Sequence, residues 1–251
     1  MQTSPLKALR PALVPTSAGG PARLFAAAAM LAMLAAAALL VDLPLARWID
    51  AANASRGIPG DLARFIRLGE AFGYGGSVLL IVLAAAVLDP RGWRVAPRLA
   101  LAAFGAGLLA DSIKLLIARW RPEHAPLDGA VGQTFAGWLP IWHGDALAGA
   151  AGKYGHKLQS FPSGHAATAM GLAVGLAALY PRGRWLFVAL AALAATQRLH
   201  GEAHFLSDVL AGAALGCLVG AVLGGGNPLG NWLAKLESGP NPRSENRPLA
   251  A

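Results

Sequence analysis

Six apolar stretches, each approaching the ~20 residues that a helix needs to cross a bilayer core, constrain this chain more than any other feature. They fall at about 24–41, 72–88, 99–116, 165–180, 185–196 and 205–223. Soluble domains carry roughly a quarter charged residues, whereas 14% of positions are charged here and 55% belong to the hydrophobic set. A water-soluble globule is thereby excluded, and the chain reads as a small integral membrane protein. The second, fourth and fifth stretches are short for a full crossing, so their helices are expected to extend into flanking polar residues. The first follows Lys7, Arg10 and Arg23. Its 18 apolar residues exceed the roughly 7 to 15 of a signal-peptide core, which predicts a retained helix. A single cysteine, Cys217, excludes an internal disulfide framework and a cysteine-rich metal site.

The expected architecture is all-α, a bundle of six transmembrane helices forming one membrane domain over 24–223. An amino-terminal cytoplasmic segment, 1–23, precedes it. A tail over 224–251 follows, where glycine, proline, asparagine and charge predict a mostly disordered cytoplasmic segment. Charge sets the orientation. If both termini are cytoplasmic, the segments on that side hold eleven basic residues against Asp89, Glu237 and Glu245, a net of +8, while the remainder of the chain balances to zero. The positive-inside rule therefore favours this topology, and the high pI needs no nucleic-acid partner to explain it. Arginine outnumbers lysine 16 to 5 in an alanine-rich sequence, which suggests a bacterial genome rich in G and C and hence a bacterial inner membrane.

The longest connection, 122–162, falls outside by this count. Phe135, Trp138 and Trp142 within it are candidate interfacial anchors. The earlier outer segment, 61–70, places Leu62, Phe65 and Ile66 among Arg64 and Arg67, as a short interfacial helix would.

Ionisable residues in or beside spanning helices are costly and mark function by default. Alternation of crossings brings three groups of them to one outer face. At the end of the third stretch lie Asp111, Lys114, Arg119 and Arg121. Lys114 and Arg121 are seven apart, about two helical turns, so a continuing helix would set them on one face. Pro122 biases Arg121 out of the helical region, turning it toward a ligand. A guanidinium and an ammonium together suit a tetrahedral oxyanion such as phosphate.

The fourth stretch opens with Phe161, Pro162, Ser163, Gly164 and His165. Proline breaks the incoming chain, serine can cap, and glycine allows close backbone approach of a ligand. The new helix offers free N–H groups and a positive dipole end to an anion, with His165 within a turn as a proton donor. Between the fifth and sixth stretches lie Arg198, His200, Glu202, His204 and Asp208. His204 and Asp208 are spaced i and i+4. If the last helix starts by His204, the carboxylate can hold the imidazole and leave its other nitrogen free as a nucleophile. Gly212, Gly216 and Gly220 continue at the same interval. The face drifts about 40° per step, so Gly212 is expected nearly beneath Asp208 and Gly220 off that line.

These segments resemble the three signature motifs of the type 2 phosphatidic acid phosphatase superfamily, the lipid phosphate phosphatases. The pattern KxxxxxxRP is met at Lys114, Arg121 and Pro122, PSGH at Pro162 to His165, and SRxxxxxHxxxD at Arg198, His204 and Asp208, with Gln197 in place of the serine. The resemblance implies that His204 attacks phosphorus to give a phosphohistidine, with Asp208 holding its ring. It implies that His165 protonates the leaving oxygen and then activates water. Lys114, Arg121, Ser163, the Gly164 amide and Arg198 would bind the phosphoryl oxygens. No cofactor or metal is implied, and the partners are the bilayer and a membrane lipid phosphate. Undecaprenyl diphosphate, phosphatidic acid, phosphatidylglycerol phosphate and a lipid A phosphate all fit an outward-facing site. The same residues would serve a lipid phosphotransferase. A non-enzymatic anion-binding protein would use the cations but has less need of two imidazoles. His124, His143, His156 and His200 match no motif.

Overall fold

The computed structural model describes residues 20–55, 58–138 and 155–238. Nine helices occur among them: α1 (Gly20–Ala38), α2 (Asp42–Ala54), α3 (Gly60–Leu68), α4 (Gly75–Leu88), α5 (Ala96–Lys114), α6 (Gly164–Leu179), α7 (Arg184–His200), α8 (Leu206–Gly224) and α9 (Pro228–Ser238). Two short strands, β1 (Ile117–Arg119) and β2 (Phe135–Trp138), pair antiparallel, with Arg119 opposite Phe135.

Six of the nine helices coincide with the six apolar stretches. Three segments, Gly20–Ala38, Gly92–Lys114 and Leu206–Gly224, are each long and apolar enough to cross a membrane. The pair Gly60–Phe72 and Gly75–Leu88, bent by 67°, makes a fourth. Lengthening into polar flanks occurs in α7, which runs on through Arg198 to His200, but not in α4 or α6. At α4 the obstacle is the close passage of the preceding turn over α6: a Cβ on Gly73 would lie 2.7 Å from the His165 carbonyl oxygen. At α6 it is the cap, Ser163, preceded by Pro162.

The core is built around α6, which is enclosed by α5, α7 and α8. Small residues let these helices meet backbone to backbone. A Cβ on Gly216 would sit 2.7 Å from the Gly171 nitrogen and 2.8 Å from the Ala167 carbonyl oxygen. Gly220 also packs against α6, over Val174, so the whole stripe stays in contact with that helix. Residues four apart form a ridge inclined to the helix axis, and α6 crosses along that ridge. Outward-pointing side chains are large and apolar, among them Met33, Leu80, Leu88, Leu108 and Trp185, a surface suited to lipid rather than water.

Two sequence expectations change. α2 was unforeseen; it buries Asp42, Leu43, Ala46 and Ile49, a helical repeat, and accommodates Pro44 within its first turn. Residues 228–238, expected in the disordered tail, form α9. Leu233 is buried there, and Glu237 pairs with Arg98 of α5, so an apolar anchor and an ion pair order the segment.

Candidate active site

α5 ends at Lys114, and the chain then becomes extended as β1. Lys114 and Arg121 therefore do not share a helical face as expected: pairing of β1 with β2 diverts the chain before another turn can form. Arg121 is extended at φ −74° and ψ 150°, as its position before proline requires, and its amide donates to the Lys157 carbonyl oxygen at 2.9 Å. This bond joins the two ends of the long connection. Of the three candidate anchors in that connection, Trp138 is exposed. Phe135 instead stacks on Arg119, its centroid 4.6 Å from the guanidinium carbon. Trp142 and His143 lie outside the described residues.

Lys114 nonetheless meets the start of α6. Its Nζ donates to Asp111 Oδ1 at 2.9 Å and lies 3.2 Å from where a Cβ on Gly164 would be. Ser163 caps α6, its Oγ accepting from the Ala166 amide at 3.4 Å. The Ser163 amide donates to the Asp208 carbonyl oxygen at 3.0 Å, tying the second motif to the third. His165 faces this same space, in electrostatic range of Lys114, Arg121, Arg198 and His204, with the Tyr74 ring 6.5 Å away between centroids. Arg198 reaches in from α7. It donates to Gln197 Oε1 at 3.2 Å and lies 3.6 Å from Glu70, so the residue replacing the motif serine supports the arginine directly.

Three nitrogens in this space, Arg121 Nε, Arg198 Nε and His165 Nε2, are buried without a hydrogen-bond partner among the described residues. Each orphan of this kind costs about 1–3 kcal/mol. Several unanswered nitrogens and a lysine facing one space have the donor chemistry that suits an anion.

His204 is held differently from the spacing argument. Its Nδ1 lies 2.7 Å from the Ser160 carbonyl oxygen and 3.8 Å from Asp208 Oδ2. The reason is the start of α8 at Leu206: Asp208 becomes the third residue of the helix and turns back to accept from the Phe205 amide at 2.8 Å. Ser160 bridges the two, its Oγ donating to Asp208 Oδ2 at 2.6 Å. Because a carbonyl only accepts, Nδ1 carries the proton and Nε2 keeps its lone pair. Burial pushes the pKa of His204 below the usual histidine value, with Asp208 opposing that effect, so the neutral ring prevails at neutral pH.

Sequence reasoning overlooked a second layer. Arg119, fully buried, donates to Asp42 Oδ2 at 2.7 Å, to Ser207 Oγ at 2.7 Å and to Asp208 Oδ1. Its charge, inside the first motif and already among the costly ionisable residues, was a visible signal, though one that named no partner. Asp42 carried none, lying far away in sequence at the end of the first apolar stretch. Among the described residues, Glu123, His124 and His156 bring three possible metal-ligating atoms within 4.8 Å of one another; they are exposed and take no part in the chemistry derived below.

A family model of the PAP2 superfamily matches residues 96–224, half of the chain. The chain belongs to the PAP2 superfamily. The match runs from α5 to α8 and contains all three motifs; Asp42 and α2 lie before it. Lipid A 1-phosphatase from Rhizobium johnstonii is 35% identical over 112 residues, covering 44% of this chain and 39% of that protein. Its counterpart from Rhizobium etli is 34% identical over 112 residues, covering 44% and 41%. The matched region thus spans about two fifths of each relative. A crystal structure of a transmembrane PAP2 type phosphatidylglycerolphosphate phosphatase from Bacillus subtilis superposes with a TM-score of 0.51 at 20% identity, covering 82% of this chain and 94% of that one. The two share a PAP2 membrane fold.

Proposed function

We propose that this PAP2 protein is an integral-membrane lipid phosphatase that removes a phosphate from a lipid headgroup through a phosphohistidine on His204. The observation that carries the reading is the set of buried, unpartnered nitrogens of Arg121, Arg198 and His165 around a histidine whose Nε2 lone pair is free.

Lys114, Arg121, Arg198, Ser163 and the Gly164 amide bind the phosphoryl oxygens and stabilise the charge that spreads over them in the transition state. Nε2 of His204 forms a bond to phosphorus in line as the bond from phosphorus to the lipid oxygen breaks, and His165 gives that oxygen its proton. Asp208 stabilises the positive ring. Water then attacks the same phosphorus, its proton passing to His165; the bond from phosphorus to nitrogen breaks, and phosphate leaves. No step calls on a metal.

The substrate is a lipid A phosphate on this reading, supported by the names of the Rhizobium relatives. Undecaprenyl diphosphate, phosphatidic acid and phosphatidylglycerol phosphate are the competitors a substrate panel must rank. The topology is six crossings, through α1, the bent α3–α4 pair, α5, α6, α7 and α8, in a bacterial inner membrane. Both termini are cytoplasmic and the site opens to the periplasm, where a headgroup enters sideways while its chains stay in hydrocarbon.

The test is phosphate release by purified protein in detergent with each lipid, together with capture of labelled enzyme by an alkaline denaturing quench, under which a bond from phosphorus to nitrogen survives. His204→Ala is expected to fold, to capture no label and to lose at least about 10³-fold in kcat; wild-type release by this variant overturns the assignment. Transfer of label to an added alcohol instead of water would mark a phosphotransferase.

A further inference from the structure

Asp42 belongs to no signature motif and precedes the matched family region, yet neither it nor Arg119 nor Asp208 exposes any side-chain surface. Asp42 Oδ2 accepts from Arg119 Nη2 at 2.7 Å and also from Ser207 Oγ, while Oδ1 accepts from the Ser207 amide at 3.0 Å. The other side of the same guanidinium holds Asp208 Oδ1. The rings of Phe135 and Phe205 cover the guanidinium carbon, with centroids at 4.6 and 4.3 Å. Water is excluded, so these charges act on one another with little screening.

The charge count is informative. One cation sits between two carboxylates, leaving a net of −1. With Asp42 uncharged, Arg119 would cancel Asp208, and the carboxylate beside His204 would offer little to a ring gaining positive charge. We propose that Asp42 is a positioning residue that acts through Arg119, balancing the guanidinium so that the charge of Asp208 remains available to the His204 ring during phosphoryl transfer. This rests on the phosphohistidine reading above.

The surroundings of His204 make that charge matter. It faces Asp208 from α8, Arg121 from beyond β1, Arg198 from α7 and His165 from α6. The two arginines disfavour a positive ring, and Asp208 is the carboxylate among these groups that favours it. Glu202, in the same turn as His204, is engaged by Asn53 at 2.7 Å.

The experiment compares pH profiles of kcat and KM for the full-length protein in detergent, with His204→Ala measured alongside. Asp42→Asn is expected to lower kcat about tenfold or more, leave KM within about threefold, and move the acid limb to lower pH, because a neutralised carboxylate favours the uncharged ring. Asp42→Asn combined with Arg119→Gln restores the net of −1 and is expected to return the limb toward its wild-type position, although it removes more contacts. Ser207→Ala, which deletes a hydrogen bond and no charge, is expected to lower the thermal midpoint without moving the limb. A double variant worse than Asp42→Asn in both limb position and kcat overturns the proposal, as does a wild-type limb in Asp42→Asn. If Asp42→Asn does not fold, Asp42→Glu decides: the limb must stay in place, and a displaced limb counts against the idea. Release by His204→Ala would defeat the underlying reading. A silent His204→Ala with an indifferent Asp42→Asn defeats only this inference.

Discussion

The two ends of the helix bundle both bury charge, and they do so in opposite ways. At the end away from the site, Asp89 accepts from the Arg91 amide at 2.7 Å, from Arg91 Nε and Nη2 at 2.9 Å each, and from the Tyr180 hydroxyl at 2.8 Å. The phenol is pushed up to about 12 by burial and by that bond. Arg98 pairs with Glu237 and donates to the Leu223 carbonyl oxygen at 2.9 Å. These groups answer one another and tie α4, α5, α6 and α9 together. At the site end, Asp42, Arg119 and Asp208 are equally well matched, but the layer above them leaves Arg121, Arg198 and His165 with unanswered nitrogens. Satisfied buried charge holds helices in place. Unsatisfied buried charge, supported from below by a satisfied layer, is what an anion-binding enzyme requires.

The contrast breaks most visibly at His165. Replacing it with asparagine, which is polar and smaller, is expected to lower kcat by about 10²- to 10⁴-fold, the usual worth of general acid and base catalysis. The thermal midpoint should hold, because one buried polar group with an unanswered nitrogen is exchanged for another of smaller size. Steady-state kinetics with a melting curve on the same sample checks both halves, and a large loss of stability with modest loss of rate would make His165 structural.

A smaller effect is expected from pH. Burial depresses the folded-state pKa of His204 below the ordinary histidine value of 6.5, and in the proposed mechanism the neutral ring is the nucleophile. The rate should therefore be level near neutrality and fall by about tenfold per unit once pH drops below that depressed value. The same group links to folding with the same sign. The unfolded state binds the proton more readily, so the stability His204 contributes is fully present above about 6.5 and is lost as pH falls from there toward the depressed pKa. Rate and melting profiles on one pH series test this, and a rate that rises on acidification would reverse the assignment of protonation states.

The smallest effect on chemistry is expected at the far end. Arg98→Met breaks the pair with Glu237 and should lower stability by about 3 kcal/mol, while distance from the site keeps kcat per folded molecule within about twofold. A collapse of kcat in protein that remains folded would show that the two ends are coupled.

Much of this was legible in the residues themselves. Apolar length foretold where six of the helices run, since hydrocarbon demands about 20 apolar residues whatever their neighbours. Pro122 foretold the extended Arg121, and Pro162 with Ser163 foretold the start of α6, because those preferences are local. The pairing of Lys114 with Arg121 on one helical face was misread because β1 forms only when β2, some twenty residues on, supplies its hydrogen bonds. The hold on His204 was misread because Ser160 arrives from a distant loop, and no i,i+4 rule contains it. α2 and α9 escaped notice because each is short and ordered chiefly by its partners.

The sequence alone determined a helical membrane chain of the PAP2 kind, with its cations and imidazoles gathered at the helix ends on one side, since solvent and spacing act through neighbours in the chain. Tertiary structure decided which of those charges are answered and which are left open. Asp42 meets Arg119 across 77 residues, and Ser160 meets His204 across 44; pairings that long are set by how helices pack, and short-range preference carries no trace of them.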